Sequence, residues 1–67
     1  MEKVYQHETY RNKKNKRLYW VQKICKDATN SREGNVIVVY YDVENENPWY
    51  ARDLEEFKEK FEAICED

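Results

Sequence analysis

The sequence predicts a small α+β domain: a strongly bent antiparallel sheet of four or five strands, barrel-like in form, capped by one carboxy-terminal helix. The run Val36–Tyr41 contains only β-branched and aromatic residues, the types that favour strands. Short polar segments link the candidate strands, which favours antiparallel pairing because a parallel crossover needs about a dozen residues or more. An apolar stripe of helical period follows Asp53.

The length of 67 residues predicts one domain, spanning 1–67. Charged residues make up 39% of the chain and leave little apolar surface, but aromatic residues at 15% compensate because each ring buries a large area. No apolar run approaches the roughly 20 residues that a bilayer-spanning helix needs. We therefore expect a cytoplasmic protein that does not contact a membrane.

The amino-terminal half predicts two strands joined by a basic hairpin. Val4–His7 is a short strand candidate, and 11–17 contains five cations and two asparagines, which suits the tip of a hairpin. Leu18–Cys25 is the second strand, with apolar residues on both faces in its first half, as in a strand that bends through a barrel. The only glycine, Gly34, is expected to carry the bend before the next strand.

The carboxy-terminal half predicts the core. Val36–Tyr41 has apolar residues at both parities, so we expect a central strand covered on both faces. Trp49–Arg52 is a short return strand. Asp53, followed three residues later by Glu56, resembles a capping box that starts a helix. The helical stripe continues to the end of the chain through Leu54, Phe57, Phe61, Ile64 and Cys65.

The chemistry-bearing residues do not form a catalytic or metal-binding pattern. His7 is the only histidine, and we expect it to bond a backbone group rather than act as a general base. Cys25 and Cys65 belong to no metal-binding motif and are expected to be buried and reduced. The acidic segment 42–46 lacks the glycine and closing glutamate of a calcium loop, which favours a solvated turn. We predict no enzyme activity, no metal and no cofactor.

The chain resembles a family of short bacterial and phage domains of unknown function, which are similar to small SH3-like barrels. The family's Tyr-x-His element matches 5–7, its Tyr-containing strand 19–21, its Val-Val-Tyr element 38–40, and its aromatic-x-Arg-Pro-x-x-x-Phe element 50–57. Asp53 stands where the family has proline, and the helix is longer than is usual there. The resemblance implies an SH3-like barrel and no established catalytic activity.

The shared positions suggest one polar and aromatic patch, either a recognition surface or a brace for the strand ends. We expect a non-catalytic binding module whose partner is a macromolecule, more likely protein than nucleic acid. A phage or mobile-element inhibitor of a host protein is a specific form of this hypothesis, and a homodimer is also considered. The predicted partner-binding residues are Tyr5, His7, Tyr40, Trp49, Tyr50 and Arg52.

The alternative hypothesis is nucleic-acid binding through the basic hairpin. The net charge is +5 over residues 1–33 and −7 over 34–67, a polarity that orients partners. The basic segment lies beside rings that are candidates for exposure (Tyr10, Tyr19, Trp20, Trp49 and Tyr50), and cationic loops with stacking rings bind single strands. The acidic pI of about 5.4 favours a solvated hairpin tip instead. The residues of this alternative are Arg11, Lys13, Lys14, Lys16 and Arg17.

Overall fold

The computed structural model describes residues 3–28 and 34–64. Within these two ranges, five strands and one helix follow one another. They are β1 (Thr9–Asn12), β2 (Leu18–Lys26), β3 (Val36–Asp42), β4 (Asn45–Asp53), α1 (Leu54–Lys60) and β5 (Phe61–Ala63). No helix in the described ranges is long and apolar enough to cross a membrane.

The five strands form one antiparallel sheet in the order β4-β3-β2-β1-β5. β1 to β4 are a meander, and α1 carries the chain across one face to the opposite edge, where β5 pairs with β1. The predicted α+β class, with an antiparallel sheet and one helix near the carboxy terminus, is confirmed. The sheet is open, since β4 and β5 are its two edges and are not paired with each other.

The strand predicted at Val4–His7 is wrong, and the first strand begins at Thr9. His7 has a φ of 65°, in the left-handed region, which a pleated strand does not accommodate. The backbone N–H of His7 donates to the carbonyl of Val21 at 2.7 Å, so this segment turns onto β2 before pairing begins. Gly34, with a φ of 99°, carries a backbone bend as predicted.

The central position of β3 is confirmed, because it pairs with both β2 and β4. However, only one of its two faces is covered. Val38 and Tyr40 are 0% and 3% exposed on the face that packs under α1, which we call the inner face. Ile37, Val39 and Tyr41 alternate with them on the outer face and are only half-buried. The prediction that both faces are covered is therefore wrong.

The helix starts at Leu54, as the spacing predicted, but it ends at Lys60 rather than near Cys65, which lies outside the described residues. Phe61 is extended, with φ −124° and ψ 158°, because the chain there becomes β5 and pairs with β1. Asp53 is the N-cap but makes no side-chain capping hydrogen bond, so the predicted capping box is not formed.

Aromatic rings dominate the buried core on the inner face. Phe57 and Phe61 are stacked with ring centroids 4.1 Å apart, and Tyr40 packs edge-on against both at 5.2 Å. Interlocked rings of this kind contribute beyond their buried area. The core residues are Tyr10, Val21, Val38, Tyr40, Phe57 and Phe61.

Replacement of Phe57, which is fully buried, by alanine should remove the contact that holds α1 on the sheet. We expect a loss of about 3–5 kcal/mol in the free energy of unfolding, which is a large part of the total for so short a chain. Urea denaturation followed by circular dichroism measures it. Glu59→Ala, at an exposed position of the same helix, is the control and should change stability by less than about 0.5 kcal/mol. Equal midpoints for Phe57→Ala and the unaltered chain would show that the helix is not held this way.

Candidate functional site

Four rings lie in a row across the outer face of the sheet. Trp20 on β2 is directly opposite Tyr41 on β3. Trp49 on β4 stacks on Tyr41 with ring centroids 5.8 Å apart and an interplanar angle of 21°. At the other end, the His7 ring stacks on Trp20 at 6.0 Å and 18°. We call His7, Trp20, Tyr41 and Trp49 the aromatic row.

Strand alternation places these rings on the uncovered side. Tyr50 pairs with Tyr40 across β3 and β4 and stacks on it at 5.6 Å on the inner face, so the adjacent Trp49 points to the outer face. Trp49 is 50% exposed, a large value for a tryptophan. Ile37 and Val39 extend the same face and are half-buried. The outer face therefore presents apolar surface to solvent around the row.

Two polar groups beside the row are paired within the chain. The indole N–H of Trp20 donates to Oε1 of Gln22 at 3.0 Å. Arg11 on β1 donates from Nε to Oε2 of Glu62 on β5 at 2.8 Å, and this hydrogen bond lowers the pKa of the Glu62 carboxyl. Arg11 is therefore not a free cation beside the row, whereas Lys23 is an exposed cation on the same face, opposite Val39.

A second group of aromatic residues lies on the inner face, beside the tip of the β1–β2 hairpin. Nε of Arg52 donates to the hydroxyl of Tyr40 at 3.0 Å, and Nη1 of Arg52 is 3.7 Å from Oε2 of Glu56 on α1. The Tyr19 ring lies edge-on to Tyr40 at 5.6 Å. Through these contacts Arg52 links β4 to the buried Tyr40 of β3, which is 3% exposed, and to the helix. The neighbouring Tyr50 is 44% exposed.

The predicted partner-binding residues do not form one patch. Tyr40, Tyr50 and Arg52 come together on the inner face, whereas His7 and Trp49 belong to the aromatic row. Tyr5 is 53% exposed, and its backbone N–H donates to the hydroxyl of Tyr10 at 2.9 Å.

Sequence reasoning missed the role of Tyr41 and grouped Trp20 with the basic hairpin. Tyr10, which it considered an exposed ring, is 2% exposed in the core. Strand parity was the available signal, since Tyr41 and Trp49 take the parity opposite to Tyr40 and Tyr50.

The prediction that His7 hydrogen-bonds to a backbone group is not met by its ring. Within the part of the chain that the structure describes, its ring makes no hydrogen bond and instead stacks on Trp20. No group of three His, Cys, Asp or Glu side chains that could hold a metal ion occurs among the described residues.

Cys25 is an exposed thiol near the end of β2, so the prediction that it is buried is wrong. Cys65, the second cysteine, lies outside the described residues.

The predicted nucleic-acid cations divide into two groups. Arg11 is paired with Glu62, and Nε of Arg17 donates to Oδ2 of Asp42 at 2.6 Å. In the described ranges, Lys13, Lys14 and Lys16 make no direct ion pair. The two arginines are therefore structural, and the lysines alone remain available to an anionic partner.

Asp42 connects two turns and is only 8% exposed. The prediction that it belongs to a solvated turn is therefore wrong. Its Oδ1 accepts the backbone N–H of Glu44 at 2.8 Å, and Oδ2 accepts Arg17 from the tip of the neighbouring hairpin. The Glu44 hydrogen bond, followed by the Arg17 hydrogen bond and charge, lowers the pKa of the Asp42 carboxyl.

This lowered pKa predicts a specific pH dependence for Asp42→Asn. A carboxyl whose pKa is depressed by folding stabilises the native state above its unfolded pKa of roughly 3.9, and the stabilisation disappears as the pH falls through the folded value. We expect Asp42→Asn to be less stable than the unaltered chain at pH 7 and the difference to shrink on acidification. Urea midpoints at several pH values measure it.

Glu44→Gln is the matched control, because the Glu44 side chain is 79% exposed and 3.9 Å from Arg17. It should change the midpoints little at any pH, since exposed ion pairs contribute little. A stability difference for Asp42→Asn that stays constant from pH 7 to acid would contradict the role of the ionised carboxylate.

Comparison with protein-family models, with curated proteins and with solved structures finds no match to this chain. The resemblance to short bacterial and phage domains therefore stays a prediction from the sequence.

Proposed function

We propose that this chain is a non-catalytic binding module that recognises a protein through the aromatic row. The supporting observation is the row itself: stacked rings cross the uncovered face of the sheet and end at a half-exposed tryptophan. Tryptophan and tyrosine are the side chains that most often dominate protein–protein binding energy. An apolar face left open on a small domain is typical of an interaction surface.

The distribution of charge favours a protein over a nucleic acid as the partner of the row. A single strand needs stacking rings and cations along the same path, because phosphate contacts supply much of its affinity. Lys13 and Lys14 line a cleft with Arg52 of the inner face, while Arg11, near the row, is already paired with Glu62. The row thus offers apolar contact without a line of free cations.

The environment of His7 supports a role without catalysis. A histidine that acts as a general base is typically oriented by a hydrogen bond from its ring to a neighbouring group. Here the ring lies flat against Trp20, which makes His7 a contact residue at the end of the row.

The chemistry of the row also describes its partner, which would offer apolar or aromatic side chains on a surface of low charge. By analogy with the small, highly charged inhibitors that phages encode, a host protein is the specific target that we infer. A second copy of the chain is the competing occupant. Sedimentation at two concentrations distinguishes it, because only self-association depends on the concentration of this chain alone.

Trp49→Ala should abolish partner binding, whereas Tyr50→Ala should not. The two residues are adjacent and similarly exposed, at 50% and 44%, but they point to opposite faces. Loss of an aromatic side chain that dominates an interface costs about 2 kcal/mol or more, which corresponds to a drop in affinity of about thirtyfold or more. The immobilised chain and both variants would be incubated with lysate of the native host, and retained proteins would be quantified by mass spectrometry.

Circular dichroism of each variant checks that the fold is retained. A protein retained by Tyr50→Ala and lost from Trp49→Ala would support the proposal. Proteins retained equally by both variants, or lost from Tyr50→Ala alone, would contradict it. Both tryptophans lie in the row, so protection of their fluorescence from acrylamide quenching on addition of the purified partner gives an independent measurement.

A further inference from the structure

Two adjoining clefts open on the inner face, between the tip of the β1–β2 hairpin and the end of α1. Asn12, Asn15 and Arg52 line both clefts. The first, of about 250 Å³, adds the rings of Tyr19, Tyr40, Tyr50 and Phe61. The second has a volume of about 510 Å³ and adds Lys13, Lys14, Glu59 and Lys60. We call the pair the hairpin–helix cleft.

The aromatic part of this cleft contains a ring with one face supported and the rest open. The Tyr50 ring stacks on Tyr40 with an interplanar angle of 29°, and Tyr19 lies edge-on to it at 6.5 Å. Tyr40 is held by Arg52, so the support under Tyr50 is fixed by a hydrogen bond and by the core. Tyr50 remains 44% exposed. This arrangement provides a platform on which a planar ligand can stack.

The polar part of the cleft is cationic and held in place by backbone contacts. The backbone N–H of Lys13 donates to the carbonyl of Lys60 at 2.9 Å, which joins the hairpin tip to the end of α1. Lys13, Lys14 and Lys60 line the larger cleft together with one acidic residue, Glu59. The balance is positive, which favours an anionic ligand group.

The asparagines supply fixed polar groups between the two parts. Oδ1 of Asn12 accepts the backbone N–H groups of Lys14 and Asn15, at 2.8 and 3.1 Å, and so sets the shape of the loop. Nδ2 of Asn15 lies 3.4 Å from the Tyr19 hydroxyl, a long contact that a ligand acceptor could replace. Oδ1 of Asn15 already accepts the backbone N–H of Arg17 at 2.8 Å, so Nδ2 of Asn15 is the group that can donate to the edge of a nucleobase.

We infer that the hairpin–helix cleft binds one nucleotide unit, with its base stacked on Tyr50 and its phosphate against Lys13, Lys14 and Lys60. A simple anion would not use the ring, and an apolar ligand would not use the lysines. The second cleft alone has a volume within the roughly 300–1,000 Å³ of small-molecule sites. This site lies on the opposite face from the aromatic row and is independent of the proposed protein-binding function.

Titration of the isotopically labelled chain with AMP, inorganic phosphate and a single-stranded oligothymidylate tests this inference by nuclear magnetic resonance. AMP should shift the amide signals of 12–15 and 50–52 together. Inorganic phosphate should shift only the lysine-bearing segments, and more weakly. Comparable affinity for AMP and the oligomer indicates a free nucleotide. Much tighter binding of the oligomer, with a salt slope of about −0.7 per phosphate contact, indicates a single strand. No shift at 50–52 with either nucleotide probe would overturn the inference.

Variants give a second, matched comparison. Tyr50→Ala should weaken nucleotide binding by about fivefold to a hundredfold, because stacking of the base on the ring is lost. The double variant Lys13→Ala/Lys14→Ala should remove most of the salt dependence of the nucleotide affinity. Lys23→Ala, at an exposed position opposite Val39 on β3, is the control and should have no effect. Trp49→Ala should also bind nucleotide normally, so failure of this site and failure of the aromatic row give different patterns. Equal weakening by Lys23→Ala and by the double variant would show non-specific attraction and overturn the inference.

Discussion

The packing of Phe57 and Phe61 against Tyr40 holds α1 over one face of the sheet, and the rest of the arrangement depends on it. A helix that spans only Leu54–Lys60 can cover one face. The apolar residues of β3 at the other parity are then left without a second layer. The outer face of the apolar strand is therefore only half-buried because the segment that could cover it is too short.

The same constraint divides the aromatic residues between two surfaces. Successive side chains of β4 point to opposite faces, so neighbouring rings such as Trp49 and Tyr50 have different surroundings. Trp49 joins a row of rings on an apolar face, whereas Tyr50 lies beside Arg52 and the cationic hairpin tip. Two aromatic residues that are adjacent in the sequence therefore have different surroundings. Those of Trp49 suit contact with a protein, and those of Tyr50 suit a charged planar ligand.

The basic hairpin shows how ion pairing changes the meaning of a charge cluster. Arg17 is used to join two turns through Asp42, and Arg11 is used to join β1 to β5 through Glu62. The carboxylates that bind them come from segments 25 and 51 residues further along the chain. Only the lysines between them remain for an anion, and the backbone contact from Lys13 to Lys60 places them beside the helix end rather than beside the aromatic row.

The amino-acid sequence was sufficient to predict the α+β class, the central position of Val36–Tyr41 and the start of the helix, because these depend on local propensity and hydrophobic period. It did not determine where the helix ends. Phe61 continues the helical stripe, yet pairing with β1 draws it into a strand. Nor did it determine which face α1 covers, or that Trp20 and Tyr41 stand side by side, since both depend on pairing between distant segments. Such features follow from contacts between distant segments, because long-range pairing and packing override local preference wherever the local signals are weak.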